Sequence, residues 1–110
     1  MIAACEQCER NRLPELRAVV RVIDYCAKPD AAEPRILLSP ETDRRLSDAA
    51  TQTRDMAVIA VGPEAGFSPA EEALFARASF VQARLGARIL RTETAAPAAL
   101  AALLALKGEF

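Results

Sequence analysis

The stretch that decides the fold, residues 56–77, reads MAVIAVGPEAGFSPAEEALFAR. It opens on Met56–Val61, a continuous apolar run of the kind found in strands covered on both faces of a parallel sheet. Gly62–Pro63 ends that run. The tetrapeptide Ser68–Glu71 (SPAE) then combines an N-cap hydroxyl, a proline suited to the first helical position and a glutamate that completes a capping box. The stretch therefore predicts a strand, a loop and a helix that runs to about Ala78.

The same signals recur on both sides of this stretch. Arg35–Ser39 (RILLS) is an apolar run between two prolines, and Phe80–Leu85 is another, ended by Gly86. Helical spacing covers Thr92–Leu106, with Gly108 as the stop. Strands that alternate with helices predict an α/β fold with a parallel sheet. Less distinct helical patterns cover Ile2–Glu9, Ala18–Ala27 and Thr42–Ala50.

The composition of the chain limits the classes of function it can have. A length of 110 residues fits one domain. The net charge is -1, so no overall positive field would hold a polyanion, and any contact with nucleic acid must be local. The chain contains no His, which excludes Ser-His and Cys-His nucleophile pairs and removes the commonest metal ligand.

Three cysteines, Cys5, Cys8 and Cys26, give an odd count without a signal peptide, which indicates a reducing, cytoplasmic setting. Cys5 and Cys8 form a C-x-x-C pair that suggests zinc or redox chemistry. However, four zinc ligands cannot be assembled from the cysteines of one such chain, and small core residues on one helix face are the alternative. Ala95–Leu106 is apolar but shorter than a membrane span. We expect neither a metal nor a membrane partner.

Two loops directly follow apolar strands, Gly62–Phe67 and Leu85–Ala95. Ligands of parallel sheets bind beyond the carboxyl ends of strands, and glycine lets a ligand approach the backbone. The loops are therefore candidate binding segments, although Gly62 and Gly66 also suit ordinary turns. Neither a P-loop nor a dinucleotide fingerprint is present. Glu93 lies in the second loop, where a carboxylate serves either in helix capping and pairing with Arg or in acid–base chemistry.

Four strings of the chain, in this order, resemble the RsmE family of 16S rRNA methyltransferases: EQCERNRLPEL (Glu6–Leu16), LLSP (Leu37–Pro40), VGPEAGFSPAEEALF (Val61–Phe75) and LGARILRTETAA (Leu85–Ala96). The resemblance implies an α/β SPOUT fold, in which a parallel sheet ends in a C-terminal trefoil knot. S-adenosyl-L-methionine (AdoMet) would bind in the knot. The resemblance also implies a homodimer that acts on 16S rRNA of the small ribosomal subunit.

The residues carried over by the resemblance follow from these strings. The cofactor-binding residues would be Leu38, Ser39, Gly62, Pro63, Glu64, Gly66, Leu85, Gly86, Ile89, Leu90 and Arg91.

The reaction that the resemblance implies would be methylation at N3 of one uridine, U1498. That nitrogen is a poor nucleophile until it loses its proton, so a chain without His must rely on a carboxylate, on an Arg-stabilised uridine anion or on groups outside the chain. Arg91 and Glu64 are the candidate catalytic residues.

The chain departs from the family pattern at four points, one of which is Pro97 early in the final helix. Ala65 stands where the family has Gly, which would narrow the pocket or strain a positive φ. Ser39 stands where His is common. The PUA-like RNA-binding domain and the first strand–helix portion of the SPOUT domain are missing, so residues 1–110 are expected to be its C-terminal part, truncated at the N-terminus.

The alternative to an enzyme is a catalytically incompetent fragment or dimerisation module that retains the knot. A related SPOUT methyltransferase acting on tRNA is a third interpretation, which the RILRTETA string disfavours.

Overall fold

The computed structural model describes residues 14–29, 34–50, 57–63, 65–86 and 91–108. The predicted helix Ile2–Glu9 and the cysteines within it lie outside these residues. The strands are β1 (Arg35–Leu38), β2 (Val58–Ala60) and β3 (Val81–Ala83). The helices are α1 (Val22–Ala27), α2 (Leu46–Ala49), α3 (Pro69–Arg77) and α4 (Thr92–Leu106).

The three strands form one parallel sheet in the order β2-β1-β3. Ile36, in the central strand, pairs with Ile59 on one side and Val81 on the other. The predicted parallel sheet is thereby confirmed. Each strand is shorter than its apolar run, because only three or four residues of each run are paired with a neighbour.

A hydrophobic cluster covers each face of the sheet, because consecutive strand residues point to opposite faces. Ile36 and Leu37 are 0% and 2% exposed and belong to different clusters. One cluster joins the sheet to α2 and α4, and its buried members are Ile36, Leu46, Ala50, Ala83, Ala99 and Leu103. The other joins the sheet to α3, and its buried members are Leu37, Phe75, Ala78 and Phe80. The carboxyl ends of the strands are left uncovered between these two layers.

The helix with the clearest sequence signals, α3, begins as predicted. The Ser68 hydroxyl accepts a hydrogen bond from the Glu71 amide (3.2 Å), and the Glu71 carboxylate accepts one from the Ser68 amide (2.9 Å). This capping box satisfies two amides that the first helical turn leaves without partners. Helix α4 also has its predicted bounds, and Gly108 follows it with φ +81°.

The two short helices differ from the prediction. Helix α1 begins only at Val22, although the pattern extended from Ala18, and α2 covers Leu46–Ala49 rather than Thr42–Ala50. Leu16, Val19 and Val20, which precede α1, are 84%, 100% and 60% exposed, so this part of the pattern is not buried. Short helices depend on tertiary packing, which accounts for the shorter α1. Within the described ranges, no helix has both the length and the apolarity to cross a membrane.

Candidate functional site

A cavity of about 700 Å³ lies where the three strands end. Its walls are the residues that follow β1, β2 and β3, together with the first turns of α3 and α4. The volume falls in the range of small-molecule and cofactor sites. Its position is the one at which parallel α/β sheets bind ligands, and it is the position expected from the two glycine-containing loops.

The wall after β1 is held against β3. The Ser39 amide donates a hydrogen bond to the Ala83 carbonyl (2.9 Å), which extends the pairing of the two strands by one residue. Ser39 is 9% exposed, and its hydroxyl accepts a hydrogen bond from the Glu41 amide (3.3 Å). The segment therefore leaves the sheet as a defined turn whose backbone borders the cavity.

The wall after β2 is a tight loop. The Gly66 amide donates a hydrogen bond to the Pro63 carbonyl (2.7 Å), and Gly66 has φ +76°. A Cβ atom at Gly62 would lie 3.2 Å from the Phe67 ring, whereas a Cβ atom at Gly66 would meet nothing within 4 Å. Gly62 is thus required by close packing and Gly66 by its backbone conformation, and the Gly66 backbone remains open to a ligand.

Ala65 lines the cavity, as its place between these glycines suggested. Among the described residues, Ser79 is the one non-glycine with a positive φ. The expectation that Ala65 would be strained is therefore wrong, because its backbone lies outside the left-handed region and accepts an L side chain.

The third wall combines the end of β3 with the start of α4. Gly86 has φ +69°, and no atom lies within 4 Å of the position that its Cβ would take. The Thr92 hydroxyl donates a hydrogen bond to the Gly62 carbonyl (2.9 Å), so this wall is joined directly to the loop after β2. Arg91 stands at the rim with its side chain 82% exposed, and its guanidinium lies 3.9 Å from the Glu93 carboxylate.

Most of the predicted site residues come together around this cavity. Those lining it are Leu38, Ser39, Gly62, Pro63, Gly66, Leu85, Gly86 and Arg91. Glu64, Ile89 and Leu90 lie outside the described residues. Phe67, Thr92 and Ala95 also line the cavity and lie within the two candidate loops. Sequence reasoning did not identify five further lining residues, namely Leu37, Glu41, Val61, Glu72 and Arg84. Arg84 directly precedes the string Leu85–Ala96, so its position was a signal that could have identified it. Glu72 had only the pattern of a solvated helix face.

The cysteine hypothesis gains no support from Cys26. This half-buried thiol packs beside the α3-side cluster, away from the cavity, and burial raises its pKa. A thiol of raised pKa is protonated at neutral pH and is a weak nucleophile. Within the described ranges, no three His, Cys, Asp or Glu side chains stand close enough together to hold a metal ion.

The cavity wall combines open backbone, apolar side chains and two arginines. Open backbone at Gly66 and Gly86 offers amide and carbonyl groups, and Leu38, Leu85 and Phe67 offer apolar contact. Arg84 lines the same cavity, and its buried Nε has no hydrogen-bond partner. Fold and site together define an α/β domain with a ligand-sized cavity at the carboxyl ends of its parallel strands.

The profile of the RNA methyltransferase domain family matches residues 1–104, and the chain belongs to this family. Among its relatives, the ribosomal RNA small subunit methyltransferase E of Buchnera aphidicola subsp. Schizaphis graminum is 34% identical over 103 residues, which are 94% of this chain and 42% of that protein. The enzyme of the same name from Mycobacterium tuberculosis is 34% identical over 92% of this chain and 40% of its own length. The chain spans about two fifths of these relatives.

Two solved structures are similar in fold and sequence. A methyltransferase from Legionella pneumophila, in complex with the cofactor SAM, superposes with a TM-score of 0.84 at 41% identity over 94% of this chain and 42% of that one. Ribosomal RNA small subunit methyltransferase E from Neisseria gonorrhoeae, bound to S-adenosyl methionine, superposes with a TM-score of 0.82. It is 33% identical, and the match covers 99% of this chain and 44% of that one. The predicted resemblance to the RsmE family is confirmed.

Proposed function

We propose that this chain binds AdoMet in the cavity at the strand ends and forms the cofactor-binding part of an enzyme that methylates N3 of U1498 in 16S rRNA. The observation that carries the proposal is the cavity itself, which gathers eight of the residues expected to contact the cofactor. The two similar structures with bound SAM support the choice of cofactor. The names of the relatives support ribosomal RNA as the substrate.

The backbone of the two glycine-containing loops would hold most of the cofactor. Gly66 and Gly86 leave space where other residues carry a side chain, and Leu38 and Leu85 border the same cavity. Ser39, Gly62 and Pro63 would contribute further backbone contact. The same role is proposed for Glu64, Ile89 and Leu90 on the resemblance alone.

The protein would have to prepare the uridine for attack. AdoMet supplies an electrophilic methyl group on a sulfonium. Arg91 would stabilise the anion that forms when N3 loses its proton, and its exposed position at the rim leaves its guanidinium accessible to a base. Glu64 is the proposed proton acceptor, since the chain has no His.

The proposal includes the architecture of the family. We expect the segment after β3 to be threaded in a trefoil knot of the SPOUT type and the chain to act as a cytoplasmic homodimer on the small ribosomal subunit. Similarity at a TM-score of 0.84 over 94% of the chain supports the architecture.

Calorimetric titration of AdoMet and S-adenosylhomocysteine into the purified chain tests the proposal, with the oligomeric state measured in the same sample by sedimentation. We expect saturable binding of one ligand per chain in a dimer. Gly66→Ala should weaken binding, because its methyl group enters the cavity. Gly108→Ala is the matched control, since Gly108 has a similar positive φ but does not line the cavity. A folded chain that binds neither ligand would refute the proposal.

A second candidate is a catalytically incompetent module that keeps the fold and the cofactor site. The relatives whose names state this activity are more than twice as long as this chain. Transfer of a labelled methyl group from AdoMet to unmodified small ribosomal subunits separates the two. Cofactor binding without transfer would support the second candidate.

A further inference from the structure

Arg84 is a cation in the cavity wall that the proposed function does not use. It follows β3, and both of its backbone groups pair with the segment before α2: its amide donates to the Arg44 carbonyl (2.8 Å), and its carbonyl accepts from the Leu46 amide (3.0 Å). Its neighbours Ala83 and Leu85 both belong to the cluster under α4. Since side chains alternate along extended backbone, the Arg84 side chain leaves the opposite side of the segment.

One nitrogen of the Arg84 guanidinium lacks a hydrogen-bond acceptor. Its Nε is buried and makes no hydrogen bond, and it is the one buried side-chain nitrogen or oxygen in this condition among the described residues. Arg21 and Arg91, by contrast, have carboxylates within 4.0 Å. Burial of a charged donor without an acceptor is unfavourable, and Arg84 also lines the cavity, so an anionic group bound there would offset the cost by interacting with the guanidinium.

We propose that Arg84 binds the carboxylate at the amino-acid end of AdoMet, an inference that rests on the proposed function. A guanidinium matches a carboxylate with two parallel hydrogen bonds. The other cation of the wall, Arg91, is at the exposed rim and already lies near Glu93. The half-buried carboxylate of Glu72 lines the same cavity and supplies the opposite charge that the ammonium group of an α-amino acid requires.

A comparison of two ligands isolates the carboxylate. S-adenosylhomocysteine and its decarboxylated analogue, which lacks that group alone, are titrated into the wild-type chain and into Arg84→Met, which keeps the apolar stem but not the charge. We expect Arg84→Met to weaken the binding of S-adenosylhomocysteine by about tenfold or more, because the charge-assisted hydrogen bonds to the carboxylate are lost, and to leave the binding of the analogue unchanged. Arg84→Lys should fall between Met and wild type.

Arg77→Met is the matched control, because Arg77 is exposed on α3 and does not line the cavity, and it should change neither affinity. Equal loss for both ligands in Arg84→Met, or no loss for either, would overturn the role of Arg84. A selective loss of S-adenosylhomocysteine binding in Arg91→Met, and not in Arg84→Met, would also overturn it. If the wild-type chain bound neither ligand, the proposed cofactor site would fail, and this inference with it. If the wild-type chain binds both ligands, the cofactor site stands, and the variants then test the role of Arg84 alone.

Discussion

At the scale of single residues, one hydrogen bond joins two walls of the cavity. The Thr92 hydroxyl at the start of α4 donates a partly buried hydrogen bond of 2.9 Å to the Gly62 carbonyl in the loop after β2. Gly62 is itself pressed against the Phe67 ring. The shape of the cavity therefore depends on a side chain thirty residues away in sequence.

Thr92→Val should destabilise the chain and weaken cofactor binding. Valine keeps the shape of threonine but leaves the Gly62 carbonyl without its donor, which costs about 1–2 kcal/mol in the free energy of unfolding. Thr92→Ser retains a hydroxyl and should restore both properties. Urea unfolding and titration of S-adenosylhomocysteine measure them.

Thr94→Val provides the control, because Thr94 is exposed two residues further along α4 and does not line the cavity. Wild-type stability and affinity in Thr92→Val would show that this hydrogen bond does not hold the loop.

At the scale of elements, different interactions stabilise the two ends of α3. Its first turn carries the capping box of Ser68 and Glu71. At its other end, a guanidinium nitrogen of Arg35 donates to the Ala78 carbonyl (2.9 Å), and Ser79 follows with φ +67°. That left-handed position after a helix usually holds glycine, since a Cβ atom there is unfavourable.

Ser79→Gly should therefore raise the free energy of unfolding by about 1 kcal/mol, because glycine removes the steric cost of the left-handed conformation. Ala76→Gly, at an exposed position inside the same helix, should lower it by about 1 kcal/mol. Urea unfolding of both variants gives the comparison. A loss of stability in Ser79→Gly similar to that in Ala76→Gly would contradict the conformation assigned to Ser79.

At the scale of the whole molecule, the fold is a sheet between two helical layers. Helix α4 contacts the sheet along one face, on which Ala95, Ala99 and Leu103 are buried at intervals of four residues. Leu100 and Leu106 on the same helix are 56% and 55% exposed. The long apolar helix thus completes the core with small residues and one leucine.

Leu103→Ala should cost about 2–5 kcal/mol in the free energy of unfolding, because it leaves a cavity between α4 and the sheet. Leu100→Ala removes the same atoms from an exposed position of the same helix and should cost about 0.5 kcal/mol or less. Thermal or urea unfolding at equal protein concentration measures both. Equal costs would show that α4 packs through another face.

The amino-acid sequence determined the features that depend on neighbouring residues. The capping box of α3, the bounds of α4 and the three apolar runs could be predicted because hydrogen bonds of a helix start and the alternation of strands and helices are local properties. The two glycine-containing loops were also located in this way, and the four quoted strings identified the family.

Tertiary structure alone decided which distant residues meet. The order β2-β1-β3, the late start of α1 and the positions of Glu72, Arg84 and Thr92 in the cavity wall followed from packing. A solvated glutamate and one that lines a cavity have the same local pattern, and they differ only in what the rest of the chain places beside them. Hydrogen bonds such as Thr92 to Gly62 join separate segments after the strands are paired, so no local pattern encodes them.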